Sequence, residues 1–206
     1  MNANESGGLR ERKKIATREA LSAAALRLAL THGPDNVRVE DIAEAAGVSP
    51  RTYNNYFSSR EEAIVAAITA ERALRIAAAL RARPADEPLA EAVVEALVEQ
   101  YGEPPADALL LITSAPGLRA EYVDTVAAIE QPLASAIAAR TGSKDDLATA
   151  VLAAAVSAAA RVAVERWVRT VPGTNLVVPR GALADVLREA LTHVLPALRA
   201  ADPRLS

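Results

Sequence analysis

The sequence predicts an all-α protein, and three observations support this prediction. The 206-residue chain contains 48 alanines, and alanine has the highest helix propensity of all residues. Glycines and prolines divide the chain into segments in which apolar residues recur at helical spacing. No segment shows the alternation of apolar and polar residues that is typical of a half-buried strand. A chain of this length can bury a core as one large domain or two small ones.

The first helix is predicted from about Arg10 to His32, after a disordered arm over residues 1–9. Leu21 and Leu28 fall on one face of this helix. The pair Gly33-Pro34 ends it, because glycine favours the position after the last turn and proline cannot continue a helix.

Two short helices follow. The first covers about residues 39–46, and Gly47 stops it. Ser49 is a suitable N-cap for the second, and Pro50 fits its first position, where the missing N–H has no cost. This helix is predicted to end near Phe57.

A capping box of Ser59 and Glu62 opens a fourth helix, predicted over residues 59–83. Later glycines and prolines separate five further helices, predicted at about 89–102, 106–114, 119–140, 144–170 and 181–200. Pro196 is expected to bend the last of them or to relax its final turn.

Composition excludes several classes of function. The chain has no cysteine, which removes disulfides, Cys-ligated zinc and thiol catalysis, and its two histidines, His32 and His193, argue against a His-based metal site. No glycine-rich phosphate loop is present. We therefore expect no metal, no cofactor and no catalysed reaction.

Residues 1–8 lack the apolar region of a signal peptide, and the 14 uncharged residues between Asp146 and Arg161 are too few to span a bilayer. The expected location is the cytoplasm.

Residues 38–57 have the pattern of a helix-turn-helix, in which Gly47 turns the chain. Tyr53 and Phe57, four residues apart, are expected to face the core. Arginine can bind guanine and asparagine can bind adenine, while serine, threonine and tyrosine can bind phosphates. The exposed side of the second helix presents such residues: Ser49, Arg51, Thr52, Asn54, Asn55 and Tyr56. A merely solvated helix face is the alternative.

Charge is distributed unevenly along the chain. The net charge is −3 in total, yet residues 1–60 carry nine Lys/Arg and seven Asp/Glu. Near the N-terminus a basic segment contains Glu11 as its single acid and five cations: Arg10, Arg12, Lys13, Lys14 and Arg18. Such a segment can follow a DNA backbone or enter a minor groove, although charged N-terminal tails are often only solvated.

At these residues the chain resembles the TetR (tetracycline-repressor-like) family of bacterial transcription regulators. The resemblance covers about 50 residues: Thr17-Arg18-Glu19-Ala20-Leu21, Gly33, Asp41-Ile42-Ala43-Glu44-Ala45-Ala46-Gly47-Val48-Ser49, Arg51-Thr52 and Tyr56-Phe57-Ser58-Ser59-Arg60-Glu61-Glu62. It implies a DNA-binding domain over residues 10–60 and an effector-binding and dimerisation domain over residues 61–206. The rest of the chain matches the family only in helical pattern and length.

The resemblance also implies roles for single residues. Ser49, Arg51, Thr52, Asn54 and Tyr56 match positions that commonly contact DNA, and Arg60 stands where a phosphate contact is expected. Arg38 and Asn55 complete the candidate set. The sequence departs from the family pattern at three positions: Ala29 replaces a frequent phenylalanine, Arg38 a common Thr/Ser cap, and Asn54 a frequent tyrosine.

The C-terminal domain offers few polar candidates for an effector site. Arg161 and Glu165 are spaced to form an ion pair near Trp167, and they are either a polar anchor in a pocket or a surface salt bridge. Tyr122 is a further candidate. Because this domain has so few aromatic residues, an aliphatic or acyl-type effector is expected, bound between helices 89–102, 106–114, 119–140 and 144–170.

The last two helices carry apolar stripes that suggest a dimer with a four-helix interface, which is also the dimer mode that the resemblance implies. The interface candidates are Val151, Ala155, Ala158, Leu187, Leu191 and Val194. The alternative is that both stripes fill the core of a single chain.

The sequence as a whole favours a ligand-responsive, homodimeric repressor that binds palindromic double-stranded DNA. Two other hypotheses remain open at this point. An effector-independent DNA-binding protein would need no hollow second domain. A small helical enzyme would need converging acid–base groups, and the sequence offers none beyond Arg161 and Glu165.

Overall fold

The computed structural model describes residues 3–69, 72–101, 106–169 and 181–204. Within these ranges the regular elements are helices and none is a strand, which confirms the all-α prediction. The helices are α1 (Ala3–His32), α2 (Val39–Ala45), α3 (Pro50–Tyr53), α4 (Arg60–Thr69), α5 (Arg72–Ala82), α6 (Leu89–Tyr101), α7 (Ala106–Ser114), α8 (Pro116–Asp124), α9 (Glu130–Thr141), α10 (Asp146–Trp167), α11 (Leu183–Leu191) and α12 (Leu195–Ala200), with short 3-10 helices at Pro34–Asn36 and Thr125–Ile129.

The first of two compact units contains Met1–Thr69 and Ala106–Tyr122. In this unit α1 packs against α4 and α2, and α2 packs against α3. Each of these helices contributes apolar side chains to a shared core, among them Leu21, Ile42, Tyr53 and Ile64. Burial of these side chains holds the two short helices in place, since neither is long enough to be stable alone.

The second compact unit contains Ala70–Pro105 and Val123–Ser206. Here α10 packs against α9 and α11, α5 packs against α6 and α9, and α11 and α12 pack against α6. Small buried residues on α10, such as Ala153 and Ala160, let the neighbouring helices approach closely.

The C-terminal end of the second unit is fastened to α6. The buried Asp202 carboxylate accepts a 2.7 Å hydrogen bond from the backbone N–H of Leu89, at the start of α6. It also forms a 2.7 Å ion pair with Arg204. This carboxylate satisfies one of the N–H groups that a helix N-terminus leaves without an intrahelical partner.

Several helix boundaries differ from the prediction. The helix predicted to end near Phe57 ends at Tyr53, and residues 54–56 form a turn, because the N–H groups of Asn55 and Tyr56 bond to carbonyls three residues earlier instead of four. The first helix starts at Ala3, so residues 3–9 are helical rather than a disordered arm. Extension of a helix that tertiary packing already holds costs little, and composition alone does not reveal it. Helix 119–140 is divided by a 3-10 segment, because Pro132 lacks the N–H that a continuous helix needs and is tolerated in the first turn of α9. The last helix divides at Thr192–Val194 with Pro196 in the first turn of α12, as expected for that proline.

Helix 59–83 is described as α4 and α5, and residues 70 and 71 between them lie outside the described residues. The break between the predicted helices 144–170 and 181–200, at residues 171–179, also lies outside the described residues.

By length and composition α10 is able to cross a membrane, the single such helix among the described residues. The uncharged run of 14 residues is shorter than this helix, because it stops before Arg161 whereas α10 runs on to Trp167. The core helix of a soluble protein has the same profile, and one face of α10 is buried in the second unit.

Candidate nucleic-acid interface

The turn between α2 and α3 has the geometry that the sequence predicts. Gly47 lies in the left-handed region at φ 69°, which L side chains rarely adopt. Ser49 caps α3, since its side chain accepts a 3.1 Å hydrogen bond from the N–H of Thr52. Ile42 on α2 is fully buried beneath the turn. The structure therefore confirms the helix-turn-helix.

The polar residues of α3 and of the turn after it, residues 54–56, lie on the outer side of this segment. Arg51, Asn54 and Asn55 are exposed, and Thr52 and Tyr56 are half-buried. The hydroxyl groups of Ser49 and Thr52 are 2.9 Å apart, so both take part in capping α3. The side chains that are left open to a partner are those of Arg51, Asn54 and Asn55, which carry the hydrogen-bonding groups best suited to base edges.

The inner side of this segment is formed by Tyr53, the last residue of α3, and Phe57, which follows the turn. Both are buried as predicted, with ring centroids 5.8 Å apart. The Tyr53 hydroxyl donates a 2.7 Å hydrogen bond to the backbone carbonyl of Ser59. Burial, together with the nearby Glu62 and Glu61 carboxylates, raises the pKa of Tyr53 to about 12. The hydroxyl therefore stays protonated and continues to donate.

Arg18 on α1 fastens the turn that follows α3. Its guanidinium lies 4.3 Å from the centroid of the Phe57 ring, donates a 2.7 Å hydrogen bond to the carbonyl of Tyr56, and is 3.5 Å from the Glu62 carboxylate. The sequence placed Arg18 only in a basic segment. No local pattern could have revealed this role, because its hydrogen-bond acceptor is a backbone carbonyl 38 residues away.

The predicted capping box at the start of α4 is half formed. Ser59 accepts a 3.0 Å hydrogen bond from the N–H of Glu62, as a capping box requires. The Glu62 carboxylate, however, accepts from the N–H and hydroxyl of Ser58 instead of from the N–H of Ser59. Ser58 and Ser59 therefore both bond to Glu62 and together hold the start of α4.

Most of the guanidinium donors of Arg60 bond within the protein, and the phosphate contact implied for this residue stays a prediction. Arg60 donates to the backbone carbonyls of Asp35 and Val37 at 3.0 and 3.1 Å and pairs with Glu61 at 2.9 Å. The Asp35 carboxylate lies 3.6 Å from it. The guanidinium therefore joins the start of α4 to the segment that precedes α2.

Arg38 is the N-cap of α2 and is exposed, and its side chain makes no capping hydrogen bond. This bears out the expectation that the Thr/Ser cap is missing. Glu40 and Asp41 in the first turn of α2 place negative charge where the helix dipole favours it. Arg38 remains available to a partner.

The four candidate effector residues occupy different surroundings. Tyr122 is fully buried and belongs to the first unit, and Trp167 is buried in the second with its indole N–H 3.2 Å from the carbonyl of Gly181. Arg161 and Glu165 form a 3.5 Å ion pair with side chains about half exposed, 47% and 54%. The pair therefore has the exposure of a surface salt bridge, and the polar anchor in a pocket stays a prediction.

The predicted interface residues separate into two groups. Leu187 and Leu191 have no exposed surface in the single chain, so they fill its core and leave nothing to bury against a partner. Their assignment to the interface is therefore wrong.

On the outer face of α10, Leu147 and Val151 are 74% and 58% exposed. Beside them α10 and α11 enclose a groove of about 400 Å³, lined among others by Ala155, Ala158, Val162, His193 and Val194.

Among the described residues, no group of three or more His, Cys, Asp or Glu side chains could hold a metal ion.

Two protein families match the chain. The family described as "Bacterial regulatory proteins, tetR family" matches residues 21–67, and the "MftR C-terminal domain" matches residues 87–199. The first match contains the helix-turn-helix, and the second covers more than half of the chain.

Two individual proteins are similar over most of their length. The HTH-type transcriptional regulator TcmR of Streptomyces glaucescens is 36% identical over 174 residues, which are 78% of this chain and 76% of TcmR. The crystal structure of Thermus thermophilus FadR, a TetR-family repressor in complex with lauroyl-CoA, aligns over 86% of this chain and 93% of FadR, with a TM-score of 0.51 and 22% identity. At that identity the FadR comparison shows a shared fold alone.

Proposed function

The chain belongs to the TetR family of bacterial transcriptional regulators, and from this premise we propose that it is a homodimeric repressor that a small-molecule effector releases from a palindromic operator. One observation carries the DNA-binding part of this proposal. The side chains of Arg51, Asn54 and Asn55, which are suited to base edges, stand exposed on α3 and the turn after it, and the opposite side of this segment is locked by Tyr53 and Phe57.

Fixing of α3 matters because readout of a base edge depends on geometry. A bidentate contact contributes about 1–3 kcal/mol of discrimination only when the side chain meets the correct base. The cap at Ser49 holds the start of α3, and Arg18 holds the turn after α3 through the carbonyl of Tyr56. We propose that α3 enters the major groove as a rigid element and that the protein acts in the cytoplasm.

Selection of bound duplexes from random-sequence DNA tests this function. The expected result is an inverted repeat whose half-sites lie about one helical turn, or roughly 34–36 Å, apart. Enrichment of a single asymmetric site would contradict a symmetric dimer, and the absence of any enriched sequence would contradict specific DNA binding.

Dimerisation is proposed through the outer face of α10 and the groove beside α11. A two-fold interface buries the same patch of both subunits, so an exposed aliphatic stripe is buried twice. Leu147, Val151 and Val162 form such a stripe, each more than half exposed, and exposed aliphatic patches typically mark interaction sites. Arg161 and Glu165 lie on the same helix face and would border or cross the interface.

We further propose that an aliphatic or acyl-type effector binds the C-terminal domain, because that domain has few aromatic side chains on which a flat ligand could stack. A chain of contacts within the first unit can pass a displacement of α8 to the helix-turn-helix. A Cβ atom on Gly117 would lie 3.2 Å from Cγ of Glu61, and Glu61 accepts a hydrogen bond from Arg60, which holds the carbonyl of Val37 before α2.

A further inference from the structure

The N-terminal turns of α1 project past the place where this helix is fastened to α3. Of the side chains described on α1, Arg18 is the first that bonds to another helix. Lys14 lies one turn and Arg10 two turns before it. At a rise of 1.5 Å per residue these positions are about 6 and 12 Å further along the helix axis.

Both cations lie on the face of α1 that becomes the core face farther along the helix. Arg10, Lys14 and Arg18 are separated by four residues each, and Leu21 and Ala25 follow three and seven residues after Arg18. Residues at this spacing share one side of a helix. Leu21 and Ala25 are fully buried, in a helix that packs against α2 and α4. Arg10 and Lys14 therefore face the same side as the helix-turn-helix, beyond its edge.

Among the described residues, none neutralises the charge of Arg10 or Lys14. Both are exposed, and within the part of the chain that the structure describes neither has an ion pair or a side-chain hydrogen bond. Arg18, one turn later, pairs with Glu62. We call Arg10 and Lys14 the cationic overhang.

We infer that the cationic overhang binds the phosphate backbone of the DNA that flanks the bases read by α3. This inference rests on the proposed function. Arg18 joins α1 to the carbonyl of Tyr56 in the turn after α3, so the overhang extends from that turn. Phosphates of one strand follow each other about every 3.4 Å along the DNA axis, so 6–12 Å spans two or three of them. Long, flexible cations suit phosphates and carry no sequence preference.

The test measures the salt dependence of binding to a duplex selected from random-sequence DNA. Each lost phosphate contact lowers the slope of log K against log salt by about 0.9, which corresponds to about a three- to fourfold smaller loss of affinity between 50 and 200 mM salt. We expect Arg10→Ala/Lys14→Ala to lower the slope by nearly two such steps per subunit. The affinity for a scrambled duplex should fall by the same factor as that for the selected one.

Two control variants separate this effect from general loss of charge. Arg27→Ala removes an exposed cation from the other end of α1 and should leave the slope unchanged. Arg12→Ala removes an exposed cation two residues from both Arg10 and Lys14, which places it on the opposite side of the helix, and should lower the slope less than Lys14→Ala does.

Shortening the duplex provides a second measurement. When the flanking base pairs are trimmed back to the selected site, wild type should lose affinity and the double variant should not. Wild-type binding with a slope equal to that of the double variant, or with no dependence on the flanks, would overturn the inference alone. Wild-type protein that binds no selected duplex would overturn the proposed function as well.

Discussion

Arg60, at the start of α4, donates a 3.1 Å hydrogen bond to the backbone carbonyl of Val37, two residues before α2 begins. The same guanidinium holds the carbonyl of Asp35 and the carboxylate of Glu61. The resemblance to the family implies a phosphate contact for this residue, yet its donors are directed at the protein. Its position between α4 and α2 makes Arg60 a positioning residue for the helix-turn-helix.

Replacement of Arg60 distinguishes these two roles. We expect Arg60→Lys to weaken DNA binding about as much as Arg60→Ala, because lysine keeps the charge but cannot reproduce the planar fork of donors. Loss of the hydrogen bonds should also lower the free energy of unfolding by about 1–2 kcal/mol. Binding titrations over a range of salt concentrations provide the check. A slope lowered by about 0.9 in Arg60→Ala but not in Arg60→Lys would restore the phosphate contact.

Arg51 and Asn54 should determine sequence preference. Replacement of either by alanine is expected to cost about 1–3 kcal/mol at the selected site and to relax the preference at one base pair, with little change on scrambled DNA. Arg27→Ala is a matched control for Arg51→Ala, since both remove an exposed arginine from the first unit. Titrations on both duplexes give the result, and unchanged affinity in both the Arg51 and the Asn54 variant would contradict the assignment of α3.

Burial predicts opposite outcomes for two aspartate substitutions in the C-terminal helices. Val151→Asp places a charge on an exposed face, so the chain should fold and the dimer should dissociate. Leu191→Asp places a charge in the core of a single chain and should unfold it, because burial of an unpaired carboxylate is costly. Sedimentation and circular dichroism measure both effects, with Ala78→Asp on the exposed side of α5 as the control. A dimeric Val151→Asp variant would place the interface elsewhere.

The contrast between Val151 and Leu191 also shows how far the sequence predicts this site. Helical periodicity identifies residues that share a face, and for this reason the inner positions of Tyr53 and Phe57 were predictable. Periodicity does not tell whether a partner chain or the same chain covers a face. Leu187 and Leu191 therefore looked like interface residues, although α11 turns them into the core of its own unit.

The contacts of Arg18 and Arg60 were out of reach of the sequence for a different reason. Both side chains bind backbone carbonyls. Every residue has a backbone carbonyl, so the type of residue does not show which one will accept the hydrogen bond. Caps and turns such as Ser49 and Gly47 were predictable because their geometry requires particular residues.

Asp202 should make stability depend on pH in the acid range. The hydrogen bond from Arg204, supported by those from the backbone N–H groups of Leu89 and Arg204, holds the pKa of Asp202 well below its ordinary value. The unfolded chain therefore binds a proton at a higher pH than the folded chain does. The stabilisation is present above pH 4, the approximate pKa of an unfolded aspartate, and is lost progressively as the pH falls further.

Urea unfolding of Asp202→Asn at several pH values tests this linkage. The variant keeps an oxygen that can accept from Leu89, so it should be less stable than wild type at pH 7 and approach it as the pH falls below about 4. Asp202→Ala should cost more, about 1–3 kcal/mol, because it leaves the buried N–H of Leu89 without an acceptor. Asp124→Asn, at an exposed position, is the control. A stability difference that stays constant down to pH 3 would contradict the linkage.

Effector and operator should oppose each other through the contact between Gly117 on α8 and Glu61 on α4. An effector can release the protein only by binding one of its states more tightly, and the coupling must then be reciprocal. We expect an effector found by thermal-shift screening of fatty acids and acyl thioesters to lower operator affinity by about 1–3 kcal/mol, and operator to lower effector affinity equally.

Gly117→Ala presses on the Glu61 side chain at 3.2 Å and should change this coupling while leaving effector affinity in the absence of DNA intact. Ala120→Val, which enlarges an exposed side chain on the same helix, should change neither. Effector titrations with and without operator measure both quantities. Equal effector affinity in the two titrations would mean that the C-terminal domain does not regulate DNA binding, and an effector-independent DNA-binding protein would then be the better description.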